Sequence, residues 1–373
     1  MADAYPLRRR RRWPVVVVAL LIVLGALWAG AWYYGAGVAD RTIAGWKARE
    51  AKAGRVYTCA TQSISGFPFG IEVHCADPGA ALNSNKPPVV VKAKDMLVSA
   101  SVWQPTVLTT DFASPLTIAE PGRPVAITAS WLHAETQVHG LPTSPESVSI
   151  RIDRPLVVRA ADNLFKAERF DLDGRLVSGT VQNNPVIAIV LKLAAAAAPS
   201  WHPAAATPVD ADISAVLRGL KDFAPKPWPQ RFRELQAAGG RIEISKARLQ
   251  QRDTIGTASG SLGLSPSGRL NGELQLTVAN LDQFLPTLGL DRMLSQDKAP
   301  PQLNKTFDAL DRLMPGLGNV ARQNAAPMIT AGVGLMGRPT ELEGRPAVAL
   351  PLRFDDGVVS LGPLKIGTVP PLY

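Results

Sequence analysis

Hydrophobic positions near the start of the chain form one run without a charge, over positions 13–34. A helix of about 20 apolar residues, rising ~1.5 Å per residue, crosses the roughly 30 Å hydrocarbon core of a bilayer. Such a helix also satisfies its own backbone hydrogen bonds in lipid. The pattern therefore predicts a transmembrane helix over 13–34.

Basic and aromatic residues flank this run. The tail, residues 1–12, ends in consecutive arginines from Arg8 to Arg12, and clustered arginines hold a flanking segment on the cytoplasmic side. The aromatic residues that suit the two headgroup layers are Trp13 at one end and Trp28, Trp32, Tyr33 and Tyr34 at the other. We therefore expect a cytoplasmic N-terminus and a body on the outer side of the membrane.

A cleavable signal peptide is the alternative interpretation of the same segment. Ala29-Gly30-Ala31 has the small-x-small form of a cleavage site, after an apolar run of about 15 residues. The run continues through Trp32 and the tyrosines that follow, which favours a retained anchor. In either case the body is exported.

Positions 35–56 mix small, apolar and charged residues. Val38, Ile43 and Trp46 fit one helical stripe, which predicts a stalk helix that ends near Gly54. After this glycine the pattern changes to period two, which is typical of strands.

The two cysteines flank a nearly symmetric segment centred on Phe67. With Gly66, Phe67 and Pro68 as a three-residue loop, positions whose numbers sum to 134 lie opposite each other, so Cys59 faces Cys75. Glycine and proline supply the backbone that a tight connection needs, and opposed residues in an antiparallel pair are close enough at Cα for a disulfide. We expect this bridge in an oxidising compartment. Two free thiols or half of a metal site are the alternatives.

Period-two patterns dominate residues 57–193, which predicts a β-rich half that contains the cysteine hairpin. The strands predicted beyond the hairpin are 89–94, 97–103, 107–111, 125–138, 148–152, 156–160, 165–172, 175–181 and 186–193. Asp173-Gly174 predicts a two-residue hairpin turn between two of them.

An alanine- and proline-rich linker at 194–208 separates a second half, 209–373, which we expect to be α+β. A helical stripe is predicted on Ile213, Val216, Leu217 and Leu220. Further helices are predicted near 232–238, 281–294 and 302–314, and strands across 241–278, 348–354 and 358–366. Similar strand patterns in both halves indicate a diverged internal repeat.

These segments together predict a mainly β fold, in a β-rich α+β arrangement. A single N-terminal transmembrane helix is followed by one or more large, curved antiparallel sheets with a few packing helices. Apolar positions share one face of a strand, as Leu274 and Leu276 do, and polar positions such as Glu273 and Gln275 share the other. An apolar face of this kind needs a cover or a ligand.

The formal net charge of +9 does not indicate nucleic acid. Five arginines and one aspartate in residues 1–12 contribute +4, which leaves +5 for the rest of the chain. There the basic residues are scattered, as at Arg151, Arg154 and Arg159, without a run or interleaved aromatic residues. We expect a solvated surface and no nucleic-acid partner.

Candidate catalytic motifs fail on their context. The glycines of a dinucleotide-type motif at 332–337 precede Arg338-Pro339, which interrupts the helix that such a motif must open. His133 and His139 share a strand face but stand roughly 20 Å apart at ~3.3 Å per residue, too far for one metal ion. We expect no catalytic residue, no metal ligand and no cofactor. An enzyme site assembled from distant strands stays an alternative.

Three features of the chain resemble the bacterial family called domain of unknown function 2125, common in alphaproteobacteria. They are the basic tail with its span, the cysteine-flanked Gly66-Phe67-Pro68-Phe69 hairpin, and the closing motif Asp356-Gly357 with Leu361-Gly362-Pro363. Similar hairpins and turns also occur in envelope proteins with long curved sheets that look like the AsmA group. The resemblance implies a protein anchored in the bacterial inner membrane with its body in the periplasm, and carries over no catalytic residue.

The expected function is therefore that of a non-catalytic, membrane-anchored binding or scaffold protein. A curved sheet with one apolar face forms a groove that suits a lipid, another hydrophobic ligand or an envelope protein. The alternatives are an exported soluble protein, after cleavage of the N-terminal segment, and an envelope enzyme.

Overall fold

The computed structural model describes residues 13–201, 203–280, 337–362 and 364–373. In these ranges the regular structure consists of two α-helices, one 3-10 turn (Pro203–Ala206) and one sheet of 21 antiparallel strands. The helices are α1 (Trp13–Lys52) and α2 (Trp228–Ala237). The strands are β1 (Arg55–Thr58), β2 (Thr61–Ser65), β3 (Gly70–Ala76), β4 (Gly79–Leu82), β5 (Val89–Ser101), β6 (Gln104–Ala119), β7 (Val125–Ser130), β8 (His133–His139), β9 (Ser147–Asp153), β10 (Leu156–Arg159), β11 (Asp162–Lys166), β12 (Arg169–Thr180), β13 (Asn183–Ala196), β14 (Val209–Arg218), β15 (Arg241–Gln251), β16 (Thr254–Leu264), β17 (Leu270–Ala279), β18 (Arg338–Leu342), β19 (Arg345–Asp355), β20 (Val358–Leu361) and β21 (Leu364–Thr368). The predicted mainly β fold with a large antiparallel sheet is confirmed.

The predicted span and stalk form one continuous helix. α1 has 40 residues, which corresponds to a length of about 60 Å at the helical rise. Its most apolar window has a mean hydropathy of 2.5, so the helix is long and apolar enough to cross a membrane, as a signal sequence also is. Gly54, with φ of +78°, follows the helix and permits the left-handed backbone that ends it.

The sheet is a meander in which each long strand pairs with the next one along the chain. The pairing order is β2, β3, β5, β6, β8, β9, β12, β13, β14, β15, β16, β17 and β19. The short strands β1, β4, β7, β10 and β11 continue their sequence neighbours end to end. They pair in the order β1, β4, β5, β6, β7, β10 and β11, so the same order of neighbours is kept. Because β13 pairs directly with β14, the sheet is continuous across the predicted linker at 194–208.

A line of interruptions crosses the first eight long strands of the meander. It passes Cys59-Ala60, Asp77-Pro78, Lys94, Ser114-Pro115, Trp131-Leu132, Arg154-Pro155, Ala167-Glu168 and Ala194-Ala195. Backbone hydrogen bonds continue across it, as from Asp77 N to the Lys94 oxygen, 3.1 Å, and from Arg154 N to the Glu168 oxygen, 2.9 Å. Bulged strands bend and twist more strongly. The aligned interruptions therefore bend the sheet along one line, which we call the crease.

Cys59 and Cys75 form the predicted disulfide, with their Cα atoms 5.5 Å apart. The predicted register is wrong, because Gln62 rather than Cys59 lies opposite Cys75 in the ladder. The loop is longer than Gly66, Phe67 and Pro68, since the Gly70 N–H donates to the Gly66 oxygen at 2.9 Å. Cys59 lies in the crease between β1 and β2, and its side chain reaches Cys75 from outside the ladder.

The hairpin turn predicted at Asp173-Gly174 is also wrong. β12 runs through both residues and pairs with β9 on one side and β13 on the other. Asp173 accepts a hydrogen bond from Ser149 Oγ at 2.6 Å, and the chain turns only after Thr180. Strand pairing on both sides overrides the local turn preference of the Asp-Gly pair.

The helix predicted on Ile213, Val216, Leu217 and Leu220 is wrong, because this segment forms β14. The helix predicted near 232–238 is confirmed as α2, and the strands across 241–278 are confirmed as β15, β16 and β17. The helices predicted at 281–294 and 302–314, and most of the glycine motif at 332–337, lie outside the described residues.

Candidate binding surface

One row of directly opposed side chains crosses thirteen strands. The row consists of Ile64, Val73, Val98, Thr110, Thr136, Ile150, Leu172, Leu191, Ile213, Ala247, Ala258, Leu276 and Leu350. Directly opposed residues share a face of a sheet, and strands lie ~4.8 Å apart, so the row is about 60 Å long. It contains no charged residue. We call it the central row.

The rows on either side have the same character. One consists of Leu108, Val138, Val148, Gly174, Ile189, Ala215, Ile244, Gly260, Leu274, Leu352 and Leu361. The other consists of Ala134, Ile152, Phe170, Leu193, Ala211, Leu249, Gly256, Val278 and Val348. These three rows together form what we call the apolar face. It is continuous from the cysteine hairpin to the closing strands.

Most side chains of the central row are only half-buried, and Leu350 is its fully buried member. The largest side chains under 2% exposed in the described part of the chain are Leu350, Leu361, Val278, Pro185 and Cys75. Four of these five belong to the two ends of the sheet. The middle of the apolar face therefore keeps contactable surface.

The C-terminal part of α1 lies over the apolar face at its N-terminal strands, β2 to β6. Ile43 and Trp46 of the helix line a cavity of about 480 Å³ together with Cys75, Met96 and Phe112 of the sheet. The Trp46 ring also packs on Tyr57, with ring centroids 4.6 Å apart. The cavity lies where the crease bends the sheet, because residues from both sides of the crease line it.

α2 lies over the same face farther along the sheet. Phe232 and Leu235 of the helix line a cavity of about 500 Å³ with Leu217, Ile242 and Leu262 of the strands. These three strand residues are directly opposed to one another. The helix predicted from sequence is thus a partial cover of the apolar face.

A third cavity, of about 450 Å³, lies between the two helices. It is lined by Val148, Ile150 and Leu172 of the apolar face, and it shares Ile187 and Phe223 with the cavity under α2. The two cavities therefore form one continuous apolar depression.

An ion cluster holds α2 and the segment before it in place. Lys226 Nζ donates to Asp222 Oδ2 at 2.8 Å and to Glu234 Oε1 at 2.9 Å, and Arg231 Nη1 donates to the Asp222 carbonyl at 2.7 Å. The hydrogen bond from Lys226 is the main cause that lowers the pKa of Asp222, and the same bond raises the pKa of Lys226. The cluster positions Phe223 at the boundary of the two cavities.

The opposite face of the sheet is polar. A row directly behind the central row consists of His74, Leu97, Asp111, Glu135, Arg151, Asp171, Lys192, Asp212, Arg248, Thr257 and Thr277. From Glu135 to Arg248 acidic and basic residues alternate along it. The hydrogen bond from Lys246 Nζ, at 2.7 Å, is the main cause that lowers the pKa of Asp212. The two faces therefore differ sharply in polarity.

Asp111, His133 and Glu135 on the polar face place one potential ligand atom each within 4.8 Å of one another. Glu135 already accepts a hydrogen bond from Gln137 at 2.9 Å and lies 3.9 Å from Arg151. His133 is exposed, and its Nε2 lies 3.7 Å from Asp111. The group is explained as part of the solvated charge pattern.

The structure brings two of the predicted anchor residues, Trp28 and Trp32, to the cysteine hairpin, a contact that the sequence pattern did not reveal. Trp28 Nε1 donates to the Pro68 oxygen at 3.0 Å, and Trp32 Nε1 donates to the Gly70 oxygen at 2.6 Å. Trp32 also packs edge-on against Phe67, with ring centroids 5.7 Å apart.

The other predicted anchor residues make no such contact with the sheet in the part of the chain that is described. Trp13, Tyr33 and Tyr34 are exposed, at 74%, 72% and 72%. Arg8 and Arg12 lie outside the described residues.

Comparison with known proteins gives a family but no characterised relative. No curated protein and no solved structure matches the chain. The model of a family described as uncharacterised proteins conserved in bacteria matches residues 32–370, from the end of the apolar run almost to the C-terminus. The match includes the cysteine hairpin and every described strand of the sheet. The chain therefore belongs to this bacterial family, DUF2125.

Proposed function

We propose that this protein is held in the bacterial inner membrane by α1 and binds a lipid acyl chain on the apolar face of a periplasmic sheet, without catalysing a reaction. The single observation that carries the proposal is the central row, an uncharged and half-buried line of side chains across thirteen strands. Elongated apolar surface of this extent requires an apolar occupant.

The position of α1 favours a lipid over other apolar occupants. A cavity of about 290 Å³ between α1 and the sheet is lined by Trp28 and Trp32 of the helix and by Ile71 and Ala100 of β3 and β5. Val73 and Val98 are the next residues of the apolar face along β3 and β5, and they line the cavity under the C-terminal part of α1. An apolar path thus runs from the level of the membrane span to the apolar face.

The topology within the proposal rests on two features of the chain. The arginines before α1 favour a cytoplasmic N-terminus, and the disulfide between Cys59 and Cys75 suits an oxidising compartment such as the periplasm. Both features support the proposed location of the sheet on the outer side of the inner membrane.

Binding is favoured over catalysis by the distribution of titratable groups around the cavities. Lys47 borders the cavity under α1, Glu146 borders the middle cavity, and Asp222, Lys226 and Arg231 border the cavity under α2. The last three are engaged with one another in the ion cluster. Arg241 also borders the cavity under α2 and pairs with Glu243. Among the described residues, groups spread in this way form no shared reaction centre.

Mass spectrometry of the full chain, extracted in mild detergent, tests the proposal. We expect bound lipid on the unmodified protein and several-fold less on Ile189→Glu, because Ile189 lines the middle cavity and a carboxylate there is incompatible with an acyl chain. Val190→Glu is the matched control, since Val190 is the next residue on β13 and faces the polar side. Equal lipid on both variants, or no lipid on the unmodified protein, would contradict the proposal.

A further inference from the structure

Two hairpin tips lie side by side near α1, at the edge of the sheet where the strands turn. The first is the turn between β2 and β3, which contains Phe67 and Phe69, and the second is the turn between β5 and β6, which contains Val102 and Trp103. The Val102 N–H donates to the Phe69 oxygen at 2.9 Å, and the rings of Phe69 and Trp103 stack with centroids 6.4 Å apart. The two tips therefore form one surface.

This surface lies beside the apolar part of α1. The indole hydrogen bonds from Trp28 and Trp32 fix the first tip to the helix. Trp28 precedes Asp40, the first charged residue in α1, by twelve positions, which corresponds to about 18 Å along the helix axis. The tips are thus at the level of the predicted span rather than of the stalk.

The tips expose large apolar side chains and carry no charge. Phe67 is 52%, Phe69 62% and Trp103 78% exposed. Residues 56–71 and 96–110 contain no Asp, Glu, Lys or Arg. The apolar part of α1 and the two hairpin tips therefore form one uncharged zone at the same level of the molecule.

Backbone groups in this zone have partners that do not require water. The Gly70 N–H donates to the Gly66 oxygen inside the turn, and the indoles of Trp28 and Trp32 donate to the carbonyl oxygens of Pro68 and Gly70. Polar backbone groups must be satisfied internally where water is scarce. The contacts between α1 and the first tip meet that requirement for both carbonyl groups.

We infer that the two tips enter the outer leaflet of the membrane beside α1, with Phe67, Phe69 and Trp103 among the lipid headgroups and upper acyl chains. Aromatic side chains favour this layer. The inference rests on the anchoring and orientation of α1 given under the proposed function. It also places the cavity lined by Trp28, Trp32 and Ile71 within the leaflet, where an acyl chain enters directly from the bilayer.

The test uses the full chain in nanodiscs of phosphatidylethanolamine and phosphatidylglycerol, with its disulfide intact. An environment-sensitive fluorophore is attached to a single added thiol, in Trp103→Cys or in the control Trp201→Cys. The two tryptophans are similarly exposed, at 78% and 83%, but Trp201 lies in the connection between β13 and β14. We expect the label at 103 to be blue-shifted and quenched by spin-labelled lipids several-fold more than the label at 201.

A third variant, Leu24→Cys, reports on α1 itself. If the label at 24 is quenched while the labels at 103 and 201 behave alike, the tips do not enter the leaflet and the inference is wrong, although the anchor stands. If the label at 24 is also unquenched, both the anchor and the inference are refuted.

Discussion

Leu274→Asp is expected to lower the free energy of unfolding by at least about 4 kcal/mol, from the lost burial of a leucine and the burial of a carboxylate. Leu274 is 8% exposed and belongs to the apolar face, where it lies opposite Gly260 and Leu352. Among the described residues, the row of the apolar face that contains Leu274 has no basic side chain to pair with the new carboxylate. Urea unfolding followed by circular dichroism measures the change.

Gln275→Asp is the control for this substitution. Gln275 is the next residue on β17, is exposed, and lies on the polar face. We expect its effect to stay within about 0.5 kcal/mol, as for most surface changes. A similar loss in both variants would show that the two faces of β17 do not differ in burial, contrary to the assignment of the apolar face.

Gly260→Ala is expected to destabilise the protein by about 3 kcal/mol, because the backbone conformation and a steric overlap act together. Gly260 has a φ of +145°, and a Cβ atom there would overlap the carbonyl oxygen of Glu273 on β17. The neighbouring strand must shift to accept the methyl group. Thermal or urea unfolding measures the loss.

Gly256→Ala separates this steric effect from the general consequences of losing a glycine. Gly256 lies on the same strand and the same face, and an added Cβ atom would be 4.0 Å from the nearest backbone oxygen, that of Thr277. We expect Gly256→Ala to be neutral or mildly stabilising. Equal destabilisation by the two substitutions would be inconsistent with the close approach of β16 and β17 at Gly260.

The sequence predicted the strands where alternation was long and pure. β15 and β17 combine leucine and isoleucine on one face with charged and amide residues on the other, so both elements were predictable. β14 was not, because Ala211 and Ala215 carry its alternation weakly. Ile213, Val216, Leu217 and Leu220 also fit a helical stripe, and pairing with β13 and β15 decides in favour of the strand.

The disulfide pairing was predictable but its register was not. With only two cysteines in the chain, the pair is fixed once an oxidising compartment is assumed. The register depends on the crease, which places Cys59 outside the ladder and lengthens the turn to include Phe69. Bulges arise from pairing across several strands, and local sequence symmetry does not contain that information.

The candidate surface was predictable in kind and not in extent. Alternation indicated one apolar face, whereas its continuity over thirteen strands follows from the in-register pairing of distant segments. The cavities depend on where α1 and α2 lie over that face, which no periodicity specifies. The contact of Trp28 and Trp32 with the hairpin is likewise a result of tertiary packing.

Photocrosslinking in living cells tests the central claim, that the apolar face holds lipid, most directly. A photoreactive amino acid replaces Leu191 in the central row, and the control carries it at Lys192, the next residue on β13, which lies on the polar face. We predict lipid adducts at position 191, detected by mass spectrometry of the purified protein, and none at position 192. Adducts at 191 that join only residues of the same chain, such as those of segment 281–336, would show that the protein covers its own apolar face and would contradict lipid binding.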